Sequence, residues 1–310
     1  MILLKALVGR AGFYLITLLF LLTATFSLMK AIPGDPFSDE KGMPKEVYEA
    51  SVKRYGLDKP YLTQLGYYLG SVLTFDFGLS IMTPERSVNA IIKDSFPVSL
   101  TLGLSALFLA IGGGLLFGGI SAAVENRALD SITITATTLL VAIPNFCVAI
   151  LLQYTLSVKL GVLPLARWGT LSHAVLPTLA LSLFPMAYLT RLIRANISEV
   201  RSLAFVKTAY AKGLSPFHVA SRHIIPNALL PAVGYLGQLA ANIIVGSFVI
   251  EKIFSIPGIG GALVKSVLGR DYPAIMGLTA FFAYILFASV FASDLLAYLL
   301  DPRIRRREVS

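Results

Sequence analysis

The chain has 310 residues, 56% of them apolar and 14% charged, with a formal net charge of +9. Soluble domains carry about 25% charged residues, so this composition excludes an ordinary soluble domain and points to the membrane. The single cysteine, Cys147, excludes an intrachain disulfide and lacks the partners of a metal site; a small core residue is expected there.

Six stretches of 19 residues or more lack Asp, Glu, Lys and Arg: 11–29, 95–124, 131–158, 168–190, 223–250 and 272–293. A helix needs about 20 apolar residues to cross the hydrocarbon core. Backbone polar groups there must bond internally, and no strand-like alternation is present, so the spans are expected as helices and a β-barrel is excluded. The fold class is therefore an all-α membrane protein with six transmembrane helices.

In chain order, residues 1–30 form a short basic N-terminus and the first span. Lys5 and Arg10 flank an apolar run longer than that of a cleaved signal, and no A-x-A site follows, so an uncleaved span is expected. Residues 31–94 form a large segment on the far side, in which the uncharged stretch 60–75, interrupted by Gly66 and Gly70, reads as a helix at the membrane surface. Residues 95–310 form a five-helix core. In its second span Gly114 and Gly118 make a G-x-x-x-G that marks close helix packing more readily than a gate. Asn145 and Gln153 sit in the third span beside Pro144, and Gln238 and Asn242 share a face of the fifth. Polar residues inside spans are pathway candidates in transporters, and equally serve as hydrogen bonds between helices.

The Lys and Arg distribution orients the chain. With both termini in the cytoplasm the inner segments 1–10, 125–130, 191–222 and 294–310 hold thirteen cations, against five in the short outer loops 159–167 and 251–271. That is the positive-inside bias, and it accounts for the basic charge without nucleic acid, since no base-stacking groups cluster with it. Segment 191–222 alone carries Arg191, Arg194, Arg201, Lys207, Lys212 and Arg222. Burying six cations at mid-bilayer would cost roughly 15 kcal/mol, so the segment belongs in the cytoplasm.

Local signals divide this segment into two helices. Residues 197–211 are good helix formers with Leu203, Val206 and Tyr210 on one face. Gly213 suits the left-handed position that ends a helix. Ser215 and Pro216 read as N-cap and first residue of the next, and Pro226 bends or ends that helix where the fifth span begins. The expected result is a rigid cytoplasmic elbow, the alternative being an ordinary loop. His218 and His223, five apart with no acidic or thiol partner, do not read as metal ligands.

The elbow resembles the cytoplasmic loop of binding-protein-dependent ABC importer permeases, E-A-A, three residues, Gly, nine residues, I-x-L-P. Gly213 and Pro226 keep its spacing, Thr208 and Ala209 stand at the two Ala positions, and Lys207 replaces the Glu. His223 and Ile225 occupy the Ile and Leu positions. "KTAYAKGL" is similar to the peptide branch of that family. "AIPGDPF" (31–37), "YGLDKPYLTQLGYYLGSVLTFDFGLS" (55–80) and "IFSIPGIGGALVKSVLGRDYPAIMG" (253–277) resemble three further family segments in order. The chain is identified as similar to the B-type permease subunit of oligopeptide and dipeptide (and nickel) importers in the bacterial inner membrane.

The resemblance implies a type I ABC importer permease-like bundle with a coupling loop at 191–226, and a peptide path shared with a homologous second permease. Nickel or another small solute is the alternative cargo. It also implies two ABC ATPase subunits that hold the ATP and Mg, and an extracytoplasmic substrate-binding protein. The chain itself has no G-x-x-x-x-G-K-S/T, no cofactor and no catalytic or metal site is expected in it, and a transport subunit rather than an enzyme is expected. The elbow contact is expected at Phe205, Lys207, Thr208, Ala209, Lys212, Gly213, Leu214, Pro216 and Phe217, with Phe205, Leu214 and Phe217 as anchors. By family analogy Pro257, Gly258 and Gly260 line an outer gate. The rival enzyme reading, an intramembrane serine protease using Ser172 and His173, lacks a G-x-S-x-G elbow, and adjacent helical residues point about 100° apart.

Overall fold

The computed structural model of the chain describes residues 2–31, 45–123 and 127–300. The described residues are almost wholly helical, with one isolated bridge between Leu79 and Ser87. In chain order the helices are α1 (Ile2–Ala31), α2 (Lys45–Arg54), α3 (Tyr61–Leu73), α4 (Val88–Ala123), α5 (Arg127–Ala142) and α6 (Asn145–Leu152). The chain continues with α7 (Leu171–Ser202), α8 (Ala204–Ala211), α9 (Pro216–Val219) and α10 (Ile225–Ile244). It closes with α11 (Phe248–Ile253), α12 (Ile259–Leu268) and α13 (Tyr272–Leu300). Wider π-helical turns extend α6 over Gln153–Lys159 and join α9 to α10 over Ala220–Ile224.

Among the described residues, Ala11–Ala31, Val88–Ala123, Leu171–Ser202, Pro216–Ile253 and Tyr272–Leu300 are long and apolar enough to cross a bilayer. The expected third span is not one rod. Ala128–Ala142 and Asn145–Lys159 meet at an angle of 102°. Pro144, with ψ 137°, is the cause: it lacks the N–H that would continue α5, and it disfavours the helical conformation at Ile143. Six crossings result only if the bent pair is counted as one. The expected surface helix is present as α3, whose Tyr68 and Val72 are buried. Cys147 departs from expectation, for it is exposed on α6 and not part of the core.

The described chain divides into two compact units. The first comprises Met1–Pro97 and Ile259–Ile285. Its centre is aromatic: Phe26 of α1 stacks on Tyr68 at 5.8 Å and meets Tyr61 edge-on at 5.3 Å. Tyr68 Oη donates to the Met276 carbonyl at 3.3 Å, and Tyr284 Oη to that of Val72 at 3.0 Å, so α3 is bonded to the first half of α13. Asp271, at the start of α13, is buried and accepts the Ile81 and Met82 backbone N–H groups and the Ser80 hydroxyl.

The second unit comprises Val98–Gly258 and Leu286–Ser310. Its core joins Leu102 and Ala106 of α4, Leu176, Leu189 and Ile193 of α7, and Leu239 and Ile243 of α10. Close approach of α4 to α7 explains the glycines there. A Cβ at Gly114 would lie 2.6 Å from Leu189 Cβ, and one at Gly118 2.8 Å from the Thr190 carbonyl oxygen. The G-x-x-x-G is therefore a packing surface. At Gly237 a Cβ would reach 2.4 Å from Ser293 Cβ, which puts α10 equally close to the second half of α13.

Candidate functional site

The elbow at the foot of α7 has a small core of its own. Val206 and Ala209 of α8 are buried with Val219 and Ile224, and Ile197, Val200 and Leu214 pack against them. This differs from the expected helix 197–211. α7 runs on to Ser202, Leu203 is extended at ψ 149°, and α8 starts afresh at Ala204. The break turns Val206 and Ala209 inward, while Leu203 and Tyr210, expected on the apolar face, are left exposed. No glycine or proline marks the break; burial of the Val206–Ala209 face against α9 supplies the driving force.

The turn itself follows the sequence signals. Gly213 has φ +79°, its N–H bonds the Tyr210 carbonyl at 2.9 Å, and the Leu214 N–H bonds that of Ala209 at 3.4 Å. Those two bonds are the Schellman arrangement, which satisfies the last carbonyls of α8 and needs a residue without a Cβ penalty at positive φ. Ser215 Oγ accepts the His218 N–H at 3.4 Å, with Pro216 in the first turn of α9. Pro226, expected to bend or end the helix, does not end it: helix runs on from Pro216 to Ile244. Without an N–H it cannot bond the Arg222 carbonyl, and the chain absorbs the loss in the π-helical turn Ala220–Ile224.

What remains outward is a mixed surface. Phe217 is 82% exposed and Phe205 37%, and Lys207, Thr208, Lys212 and Pro216 are exposed around them. Leu214 is half-buried, leaning on the elbow core, and Ala209 belongs to that core. The base of the elbow is braced. Arg194 forks onto Asp130 of α5, Nη2 to Oδ2 at 2.5 Å, while Ser121 Oγ donates to Oδ1 at 2.6 Å and Arg201 Nη1 to the Ala122 carbonyl at 3.2 Å. Asn196 Nδ2 donates to the Ala228 carbonyl at 3.0 Å, fastening α7 to α10. A braced element with exposed aromatic side chains suits force transmission to another protein better than a solvated loop does.

Among the described residues, no hydrogen bond joins one pathway candidate to another. Gln238 and Asn242 are exposed on one face of α10, and Asn145 is exposed at the start of α6. Gln153 is used structurally: its Nε2 donates to the carbonyls of Leu165 at 2.8 Å and Ile253 at 3.3 Å. Of the gate residues, Pro257 is exposed and Gly258 buried in the second unit, and Gly260 is buried in α12 of the first. Ser172 Oγ lies 2.8 Å from Thr170 Oγ1, which also contacts His173 Nδ1 at 2.6 Å, so threonine stands where a nucleophile–base bond would be needed. The A-P-G-D-P-like segment beyond Ala31 and the basic residues after Leu300 lie outside the described residues.

Sequence reasoning missed Glu251. Its carboxylate is 1% exposed in the second unit, and Ser99 Oγ donates to Oε1 at 2.7 Å. A Cβ at Gly246 would lie 2.4 Å from Oε1 and one at Gly258 2.3 Å from the carboxyl carbon, so both glycines make room for this group. An acidic residue in a loop otherwise reads as solvated; only the glycines five before and seven after it hinted at enclosure.

The family described as binding-protein-dependent transport system inner membrane component matches residues 114–306. The dipeptide transport system permease protein DppB of Bacillus subtilis (strain 168) is 46% identical over 289 residues, 93% of this chain and 94% of its own. The protein of that name from Lactococcus lactis subsp. cremoris (strain MG1363) is 39% identical over 301 residues, 97% and 99% of the two chains. The oligopeptide transport system permease protein OppB of Escherichia coli (strain K12) is 38% identical over 291 residues, 93% and 95% of the two chains.

Proposed function

The chain belongs to the family of binding-protein-dependent transport system inner membrane components, and on that premise we propose that it is one of two homologous permeases forming the path of a peptide ABC importer. Its similarity along nearly the whole length to proteins named for dipeptide and oligopeptide transport favours peptide over nickel as cargo. The chain lies in the bacterial inner membrane, both termini in the cytoplasm, with the bent α5–α6 pair as one of six crossings. It holds neither ATP nor Mg. Two ATPase subunits supply the energy, and a binding protein delivers peptide to the outer face.

The observation that carries this reading is the braced elbow with Phe217 and Phe205 turned outward. A cytoplasmic surface of this kind has nothing in a lone permease to cover it. It docks into an ATPase subunit, with Phe205, Leu214 and Phe217 as anchors and Lys207 and Lys212 steering the encounter. Gln238 and Asn242, exposed along a transmembrane helix, face the peptide path, and the turn at Pro257, Gly258 and Gly260 borders its outer end.

The test is co-purification of the complex carrying Phe205→Ala and Phe217→Ala. The ATPases are expected to be lost while the second permease stays bound. ATPase subunits retained in full stoichiometry would remove the elbow from the interface.

A further inference from the structure

The first unit contains a cavity of about 420 Å3 that the transport reading does not use. Its size falls in the ~300–1,000 Å3 range of small-molecule sites. Four cations line it: Lys30 at the end of α1, Lys53 and Arg54 at the end of α2, and Lys59 in the following loop. Among the described residues no carboxylate is ion-paired with any of them. The one carboxylate in the described lining, Asp76, has its Oδ1 engaged by the Gly78 N–H at 3.2 Å.

Two of the four cations, Arg54 and Lys59, are held in place. Gln64 Nε2 donates to the carbonyls of Leu57 at 3.1 Å and Lys59 at 2.6 Å, which fixes the loop after Gly56. Lys59 Nζ lies 4.3 Å from the centre of the Tyr67 ring. Arg54 Nη2 donates to the Pro84 carbonyl at 3.4 Å. Tyr55, whose phenol burial pushes up from its ordinary value, keeps its proton and donates to the Ser80 carbonyl at 2.9 Å. Apolar groups complete the lining, among them Phe26 and Met29 of α1 and Met276 of α13.

Position decides the ligand. Phe26, Met29 and Lys30 are the last turn and a half of the Ala11–Ala31 span, and Tyr272, Pro273 and Met276 are the first turns of the Tyr272–Leu300 span. The cavity therefore lies where hydrocarbon gives way to water and is lined by cations and tyrosines, the pattern of residues that hold lipid headgroups. Among the described lining residues, four cations against one engaged carboxylate select an anion that brings no ammonium of its own. A zwitterionic peptide would leave its amino group among lysines. We infer that this cavity holds the phosphate of an anionic phospholipid, with the first methylenes of an acyl chain against Phe26, Met29 and Met276.

The experiment uses the complete transporter, purified and reconstituted in nanodiscs of phosphatidylglycerol, phosphatidylcholine or their mixture, with retained lipid counted by native mass spectrometry. Phosphatidylglycerol is expected to be retained and phosphatidylcholine washed away. Each cation near an anionic headgroup is worth about a fivefold change in affinity, so Lys53→Gln with Lys59→Gln should weaken retention roughly 30-fold. Lys53→Arg with Lys59→Arg should stay within about twofold. If the glutamine variant does not assemble, Met276→Trp, which fills the cavity without touching charge, must abolish retention. Millimolar inorganic phosphate or glycerol 3-phosphate should not displace the lipid; displacement by either would make this a free-phosphate site and overturn the assignment. So would phosphatidylglycerol retention unchanged in the variants, or displacement of lipid by di- or tripeptides.

Discussion

Asp271 and Ile81 stand 190 positions apart, yet Asp271 Oδ1 accepts the Ile81 backbone N–H at 3.0 Å. The same carboxylate accepts the Met82 N–H at 3.2 Å and the Ser80 hydroxyl, and Oδ1 also caps α13 by accepting the Ala274 N–H at 3.2 Å. Two of the segments that carry the family resemblance, ending at Ser80 and running through Asp271, are thus the two sides of one joint. The joint fastens the loop ahead of α4 to the start of the last span.

Asp271→Ala would orphan one buried N–H, that of Ala274, and two part-buried ones, those of Ile81 and Met82, at about 1–3 kcal/mol for each group that water cannot reach. A stability loss of about 3 kcal/mol or more is expected in thermal or denaturant unfolding of the purified complex, against about 1 kcal/mol for Ser80→Ala. The two changes should be strongly non-additive in a double-mutant cycle. Additive, sub-kilocalorie effects would show that the joint contributes nothing to stability.

Gly213 has open space around it, so size alone forbids nothing there; its φ of +79° does. Gly213→Val should destabilise the turn by about 1–2 kcal/mol and abolish peptide-stimulated ATP hydrolysis with the chain still inserted. Gly213→Asn, which tolerates that conformation, should retain most of the activity. Equal activity of the Val and Asn variants would mean the turn is not what couples.

The proposed topology is checked by labelling. Glu46 and Ser202 are both exposed, at the start of α2 and the end of α7. In a Cys147→Ala background, Glu46→Cys should react with an impermeant maleimide in intact cells and Ser202→Cys only after lysis. Labelling of position 202 from outside would reject the orientation.

Glu251 is expected to hold the turn that follows α11. Ser99→Ala removes a hydroxyl donor from its buried carboxylate and should cost about 1–3 kcal/mol. Gly246→Ala places a methyl 2.4 Å from Oε1 at a φ of +90° and should cost more. Limited proteolysis of loop 254–258 reports both, and cleavage rates unchanged from wild type would contradict the assignment.

The sequence exposes those features whose cause is local. Missing charges outlined the long helices, and Gly213, Ser215 and Pro216 specified the turn because each acts on its own backbone. The 102° bend at Pro144 was less legible, since neighbouring helices often satisfy the backbone around a proline inside a span. The break at Leu203 carries no local signal; it exists because Val206 and Ala209 find Val219 and Ile224. Gln153 looked like a pathway residue for the same reason, as its partners Leu165 and Ile253 lie on elements that only the fold brings near. Glu251 and Asp271 were hidden by distance: Ser99 is 152 positions from the first and Ser80 191 from the second.

The glycines that bring α4 against α7 have a mechanical consequence. Where Gly114 and Gly118 meet Leu189 and Thr190, the contact is made close to the backbone, with no long side chain to flex between the helices. Such a contact has little compliance, because close-packed interiors pass strain on rather than absorbing it. The same α7 carries the elbow at its foot, so with the elbow docked as proposed, a push on it would move α7 and this part of α4 as one lever. Enlarging Gly118 would act less on binding at the elbow than on the stroke that reaches α4.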